Sequence, residues 1–137
     1  MKPLKLLFFL FLLISCNSNK SNDSTSFNGE AKLDVIEHKM GKIYRSYPKH
    51  RVVFKFQNVG NEPLLILSAN PYCGCVTAQF TKEPVKPGMT GYITLTYNGA
   101  SKSSGYVSEN VEIITSSKIT PRLSLNISGE LVENNDN

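Results

Sequence analysis

Tryptophan is absent from this 137-residue chain, histidine occurs twice, and cysteine only three times. A zinc centre built from two C-x₂₋₄-C pairs is therefore excluded, because one cysteine pair and two scattered histidines cannot supply that spacing. Long apolar runs are missing too. The longest, Leu6 to Ile14, has nine residues, against the ~20 a membrane-crossing helix needs. No segment repeats apolar residues at helical spacing, which argues against a helix bundle or an alternating α/β fold. Nor is there a basic stripe. Lysine and arginine total 15 against 11 acidic residues, and no aromatic cluster accompanies them, so nothing points to a nucleic-acid partner.

What is present begins with "MKPLKLLFFLFLLISCNSNK". Lys2 and Lys5 precede the apolar run, and the order of basic flank, short apolar core and small residue is that of an export signal. Leu13-Ile14-Ser15-Cys16 resembles the lipobox of bacterial lipoproteins. The resemblance implies cleavage after residue 15, a diacylglycerol thioether on Cys16 and an acylated amino terminus. Each buried methylene contributes ~0.8 kcal/mol, and two or more chains give stable membrane attachment. The expected location is the bacterial cell envelope, facing the periplasm or the cell surface. The mature chain would hold 122 residues, room for one domain with a core, and its charge would fall from +4 to +2 with Lys2 and Lys5 removed.

Residues 16–29 read as the lipidated cysteine and a flexible tether. "NSNKSNDSTSFN" has almost nothing to bury, and twelve such residues reach about 20 Å. Residues 30–132 form the domain and 133–137 a polar, disordered tail. Within the domain the pattern has period two. Val52, Phe54 and Phe56 share one face of "RVVFKFQN". Ile93, Leu95 and Tyr97 share one face of "GYITLTY". Leu123, Leu125 and Ile127 alternate with Ser124, Asn126 and Ser128. "AKLDVIEH" reads as one strand, and "LLILSA", Val76–Phe80 and Glu109–Ser116 supply others. "NVGNEP", "KEPVKPGMTG" and "NGASKSSG" carry the turn residues. About seven short strands with turn signals every 8–12 residues predict an all-β, immunoglobulin-like antiparallel β-sandwich. No unit of 20–50 residues recurs, so the reading is of one domain.

"VFKFQNVGNEPLLIL", "CGC", "VKPGMTGYITLTY" and "LSLNISGEL" together resemble the bacterial family called domain of unknown function 1573. The resemblance spans Glu30 to Val132 and implies an exported Ig-like sandwich, often a lipoprotein, with no activity assigned. Its most specific pieces are Cys73-Gly74-Cys75 and Pro87-Gly88, which it marks as loop-shaping. Met89-Thr90 departs from the family pattern, which commonly has a Glu after the Pro-Gly pair. The Cys-x-Cys loop before a Pro-Gly turn is also similar in placement to that of the copper-delivering assembly factor of cytochrome oxidase. That similarity implies a copper(I) site at Cys73 and Cys75, with Gly74 standing where that family has an aromatic.

Four readings of this loop follow from its chemistry. Reduced, Cys73 and Cys75 are soft ligands suited to Cu(I). Oxidised, they form a Cys-x-Cys disulfide, which closes so small a ring that it adds little stability; the protein would be exported to where such a bond persists. Extended backbone would hold the two Cα atoms ~6.6 Å apart, and Gly74 could shorten that. A catalytic thiol would need a base, and nothing in the spacing links His38 or His50 to it. The fourth reading is structural: two small thiols in a turn shaped by an unusual φ at Gly74. The six tyrosines are spread along the chain and read as core or rim. Asn126-Ile127-Ser128 matches a glycosylation acceptor, but on a strand of a bacterial lipoprotein the match carries little. The sequence thus points to a non-enzymatic envelope module, with a protein partner expected at its sheet edges and loops and a Cu(I) or thiol-redox role as the alternative.

Overall fold

The computed structural model describes residues 28–134. The expected signal peptide, the lipidated Cys16 and the tether up to residue 27 lie outside the described residues, as do tail residues 135–137. Eight strands form two four-stranded sheets: β1 (Ala31–Leu33), β2 (Glu37–Tyr44), β3 (Lys49–Asn58), β4 (Ile66–Pro71), β5 (Val76–Phe80), β6 (Thr90–Asn98), β7 (Gly105–Thr115) and β8 (Arg122–Val132). One sheet has the order β1-β3-β6-β5 and the other β2-β8-β7-β4.

The inner faces follow the alternation of the sequence. Phe54, Phe56, Ile93, Leu95 and Tyr97 from one sheet meet Val111, Ile113, Leu125, Ile127 and Leu131 from the other, all buried. Full burial of an aromatic or branched aliphatic side chain stabilises by about 1.5–3 kcal/mol, so this double layer supplies the main driving force. Phe56 sits directly opposite Gly91 on β6. A Cβ at Gly91 would fall 2.2 Å from the Phe56 ring, so only glycine lets the ring lie flat across the strand.

Two features differ from expectation. The single strand read over Ala31–His38 is two strands in two sheets, making eight strands rather than about seven. β1 pairs with β3, and the chain then crosses through exposed Val35 and Ile36 to the other sheet. It enters that sheet without a hairpin, so β2 runs parallel to β8, the one parallel pair in an otherwise antiparallel ladder. The register of that pair shifts between Lys39 and Gly41, and Gly41 carries the shift at φ 72°. This bulge places the inward residues Met40 and Ile43 three apart, which hides the strand from a period-two reading.

Asn58 joins the turns at one end of the sandwich. It is wholly buried, and its Oδ1 accepts from the backbone amides of Glu30 (3.1 Å) and Gly60 (3.0 Å). Its Nδ2 donates to the carbonyls of Glu62 (2.7 Å) and Val85 (2.8 Å). Beside it, Pro87 and Gly88 occupy the centre of a turn closed by the Met89 amide on the Lys86 carbonyl (3.0 Å), with Gly88 at φ 76°. That geometry requires glycine in the third place of a Pro-Gly turn. At the termini, the Asn28 amide donates to Asn61 Oδ1 and Arg45 holds Glu133 at 2.9 Å. Asn28, Glu133 and Asn134, which the sequence reading placed in tether and tail, make these contacts with the body.

Candidate functional site

β4 and β5 are edge strands of opposite sheets, and Cys73-Gly74-Cys75 is the corner between them. The Tyr72 amide still donates to the Asn110 carbonyl at 3.2 Å, extending the β4–β7 pairing. Three residues later the Cys75 carbonyl accepts from the Asn98 amide at 2.7 Å, which belongs to the β5–β6 ladder. The chain changes sheets in between, through a turn closed by the Val76 amide on the Cys73 carbonyl (3.1 Å).

Cys73 and Cys75 are joined by a disulfide with their Cα atoms 5.1 Å apart. The turn thus brings them nearer than an extended strand would. Gly74 does not do this through a left-handed φ, as the sequence reading supposed: the positive-φ glycines are Gly41, Gly88 and Gly105. A Cβ at Gly74 would meet nothing within 4 Å, so the turn is built from conformations that other residues adopt. Cys75 is buried against the core and Cys73 is packed at its margin.

Three side chains not singled out by sequence complete the corner. Glu109 lies on β7 between inward-facing Val107 and Val111, and its Oε1 stands 3.3 Å from Cys75 Sγ. Lys102 Nζ lies 3.7 Å from the same oxygen. Tyr97, opposite Val76 on β6, is fully buried, and its hydroxyl has no hydrogen-bond partner. Burial, and next the Glu109 charge, push the Tyr97 phenol above its usual range. The signal for Glu109 was its place in "VSENVEI", alternating with Val107 and Val111; starting the strand at Glu109 concealed it.

Cys73, Cys75 and Glu109 form the cluster of metal-capable groups among the described residues, with donor atoms within 4.8 Å of one another. While the sulfurs are bonded to each other they offer no thiolate. Reduced, they would present two soft sulfurs and one carboxylate oxygen, a donor set in which the sulfurs would favour a soft ion such as Cu(I). His38 and His50 are elsewhere. Their rings face each other 6.4 Å apart across the β2–β3 side, and neither hydrogen-bonds to the cysteines. Nothing in the corner supplies the histidine base that a cysteine nucleophile takes as its partner.

Among the described residues no strand pairs with the second long side of β5. The Thr81 amide bonds to the Tyr92 carbonyl and the Asn98 amide to the Cys75 carbonyl. In an antiparallel ladder this parity turns the backbone groups of residues 75, 77, 79 and 81 toward β6. Those of Ala78 and Phe80 therefore point outward along the free edge. Exposed Tyr72 stands at its end.

In fold, the chain is similar to a Porphyromonas gingivalis W83 protein of unknown function (TM-score 0.67, 19% identity, covering 75% of this chain and 47% of that one). It thus spans about half the length of that protein. It is also similar to the ASH/PapD-like domain 7 of human CEP192 (TM-score 0.56, 12% identity, 88% and 96% covered). The YadV chaperone is a third (TM-score 0.54, 13% identity, 78% and 54% covered). Among curated proteins none matches the sequence. The profile of one family matches residues 31–131, and the chain belongs to it: the protein of unknown function family DUF1573.

Proposed function

We propose that this protein is a non-enzymatic module of the bacterial cell envelope. In this reading it is held to a membrane by lipid on Cys16 and binds another envelope protein along the free edge of β5. The observation that carries the proposal is the outward-facing backbone of Ala78 and Phe80 beside the disulfide corner. An exposed edge is a template for an added strand, main-chain hydrogen bonds supplying affinity and alternate side chains specificity. The disulfide fixes where β5 begins, so the edge is presented in one register. The ASH/PapD-like domain of CEP192 and the YadV chaperone share the fold.

A photocrosslinking residue at Gln79, tested in living cells beside one at Ser124 on the opposite sheet, checks this reading. A discrete crosslinked protein from Gln79 and none from Ser124 is the expected result. Equal or absent crosslinking from both positions contradicts it. Intact mass of the envelope protein then reports the lipid on Cys16.

Glu109 beside the cysteines favours a second reading, in which reduction frees a thiol pair that holds Cu(I). Reduction adds two electrons and two protons from an envelope dithiol, which itself becomes a disulfide. Stoichiometric Cu(I) uptake by the reduced chain, lost on changing Cys73→Ser and Cys75→Ser, would support that reading; no uptake would remove it.

A further inference from the structure

The outer faces of the two sheets carry different charge. On the β2-β8-β7-β4 sheet, Lys39, Lys42 and Arg122 are interspersed with Glu37, Glu112 and Glu130. Arg122 bonds Glu112 at 2.7 Å, and Lys42 stands opposite Glu130. On the β1-β3-β6-β5 sheet, Lys32, Lys49, Arg51 and Lys55 all project outward, and no carboxylate projects from these four strands. Acids stand at both ends of β1: Glu30 just before it, and Asp34 just beyond it, which shares a depression with Val53 and Lys55. None of the four cations is ion-paired among the described residues; the ion pairs there use Arg45, Lys102 and Arg122.

The centre of the cationic face is not charged. Val53 and Tyr92 are exposed there, and the cross-strand rows read Arg51-Thr96-Thr77 and Val53-Thr94-Gln79, with Lys55 opposite Tyr92. The face thus has a small apolar and aromatic middle, cations on its β1 and β3 half and hydroxyl and amide groups on its β6 and β5 half. Phosphate headgroups are met by such donors, and tyrosine is at home at the boundary between headgroups and water. The described chain also begins beside this sheet, Asn28 being three residues before its edge strand β1.

We propose that this face rests on the anionic phospholipid surface of the membrane that anchors the chain. The proposal rests on the Cys16 reading, since lipid there would hold the domain beside a membrane surface. The electrostatic attraction belongs to the folded face itself. With the face on the membrane, the free edge of β5 lies in the membrane plane, open to a neighbour alongside.

The test is acylation of surface amines on the full lipidated chain in vesicles of phosphatidylcholine alone or mixed with phosphatidylglycerol, read lysine by lysine by mass spectrometry. Lys39 and Lys42, on the opposite sheet, are internal controls. The expected result is several-fold protection of Lys32, Lys49 and Lys55 on the anionic vesicles alone, lost near 1 M salt, where the screening length is ~3 Å. Equal labelling of both faces, or equal protection on neutral vesicles, overturns the proposal. So does protection that appears in whole envelope membranes but not in protein-free anionic vesicles, which would assign the face to an acidic protein.

A second arm uses the full chain carrying Cys16→Ser. It is expected to select anionic over neutral vesicles, and to lose about fivefold in affinity for each of Lys32→Gln, Lys49→Gln, Arg51→Gln and Lys55→Gln. If the wild-type chain carries no lipid yet Cys16→Ser still selects anionic vesicles, the anchor reading fails and the face stands. If lipid is present but neither arm shows charge selection, the face fails and the anchor stands.

Discussion

Glu109 Oε1 lies 3.3 Å from Cys75 Sγ, at a position of β7 that points between the sheets. A disulfide sulfur has no proton to donate, so the pair is a contact rather than a hydrogen bond. It acquires a consequence when an outside thiolate attacks Cys73 and Cys75 must leave as thiolate. The neighbouring carboxylate repels that anion as it forms, so the sulfur leaves more slowly. Glu109→Gln is expected to speed reduction by a small dithiol roughly three- to tenfold, because Lys102 is then left to favour the thiolate. The measurement is the rate of alkylation at Cys73 and Cys75 during timed reduction. An unchanged or slower rate would show that Glu109 does not guard the bond.

Tyr97 gives an expectation of opposite kind. Its hydroxyl is buried without a partner, so the fold carries the cost of dehydrating it. Tyr97→Phe is expected to leave stability unchanged or raise it by up to about 1 kcal/mol in chemical denaturation. It also changes the pH profile. The folded phenol is held above its ordinary value, so as pH rises past about 10 the unfolded chain loses this proton first and wild-type stability falls. The phenylalanine variant lacks that contribution and is expected to decline less on the alkaline side.

Asn58 is the reverse case, a buried polar group with both ends satisfied. Asn58→Ala is expected to cost about 2–4 kcal/mol, since amides and carbonyls lose a partner inside the fold and a cavity remains. Asn58→Asp is expected to fail too, because it keeps the acceptor but faces the Glu62 and Val85 carbonyls with an oxygen. Urea unfolding of both variants checks this; a loss under 1 kcal/mol in either would remove Asn58 as the tie between these turns.

The parts of the fold legible in the sequence are those where period two survives intact. Val52-Phe54-Phe56 and Ile93-Leu95-Tyr97 alternate and are buried as that alternation requires. β2 was not legible, because its bulge at Gly41 sets Met40 and Ile43 three apart. Its parallel pairing with β8 is a property of the crossover at Val35-Ile36, and alternation says nothing about where a chain changes sheets. At the corner, the sequence offered the cysteine pair but not Glu109, Lys102 or Tyr97. Those side chains come from β7, the preceding loop and β6, and only the sandwich closes the distance. Gly74 looked like a conformational requirement and is not one; Gly88, in its Pro-Gly turn, is.

The central claim is that β5 binds through its outward-facing backbone, and one substitution addresses it directly. Ala78→Pro removes an amide that points away from β6, which an edge strand tolerates. The chain should remain folded, with a thermal midpoint within a few degrees of wild type, while the crosslink formed from Gln79 disappears. A folded Ala78→Pro chain that still crosslinks from Gln79 at the wild-type level would contradict the account.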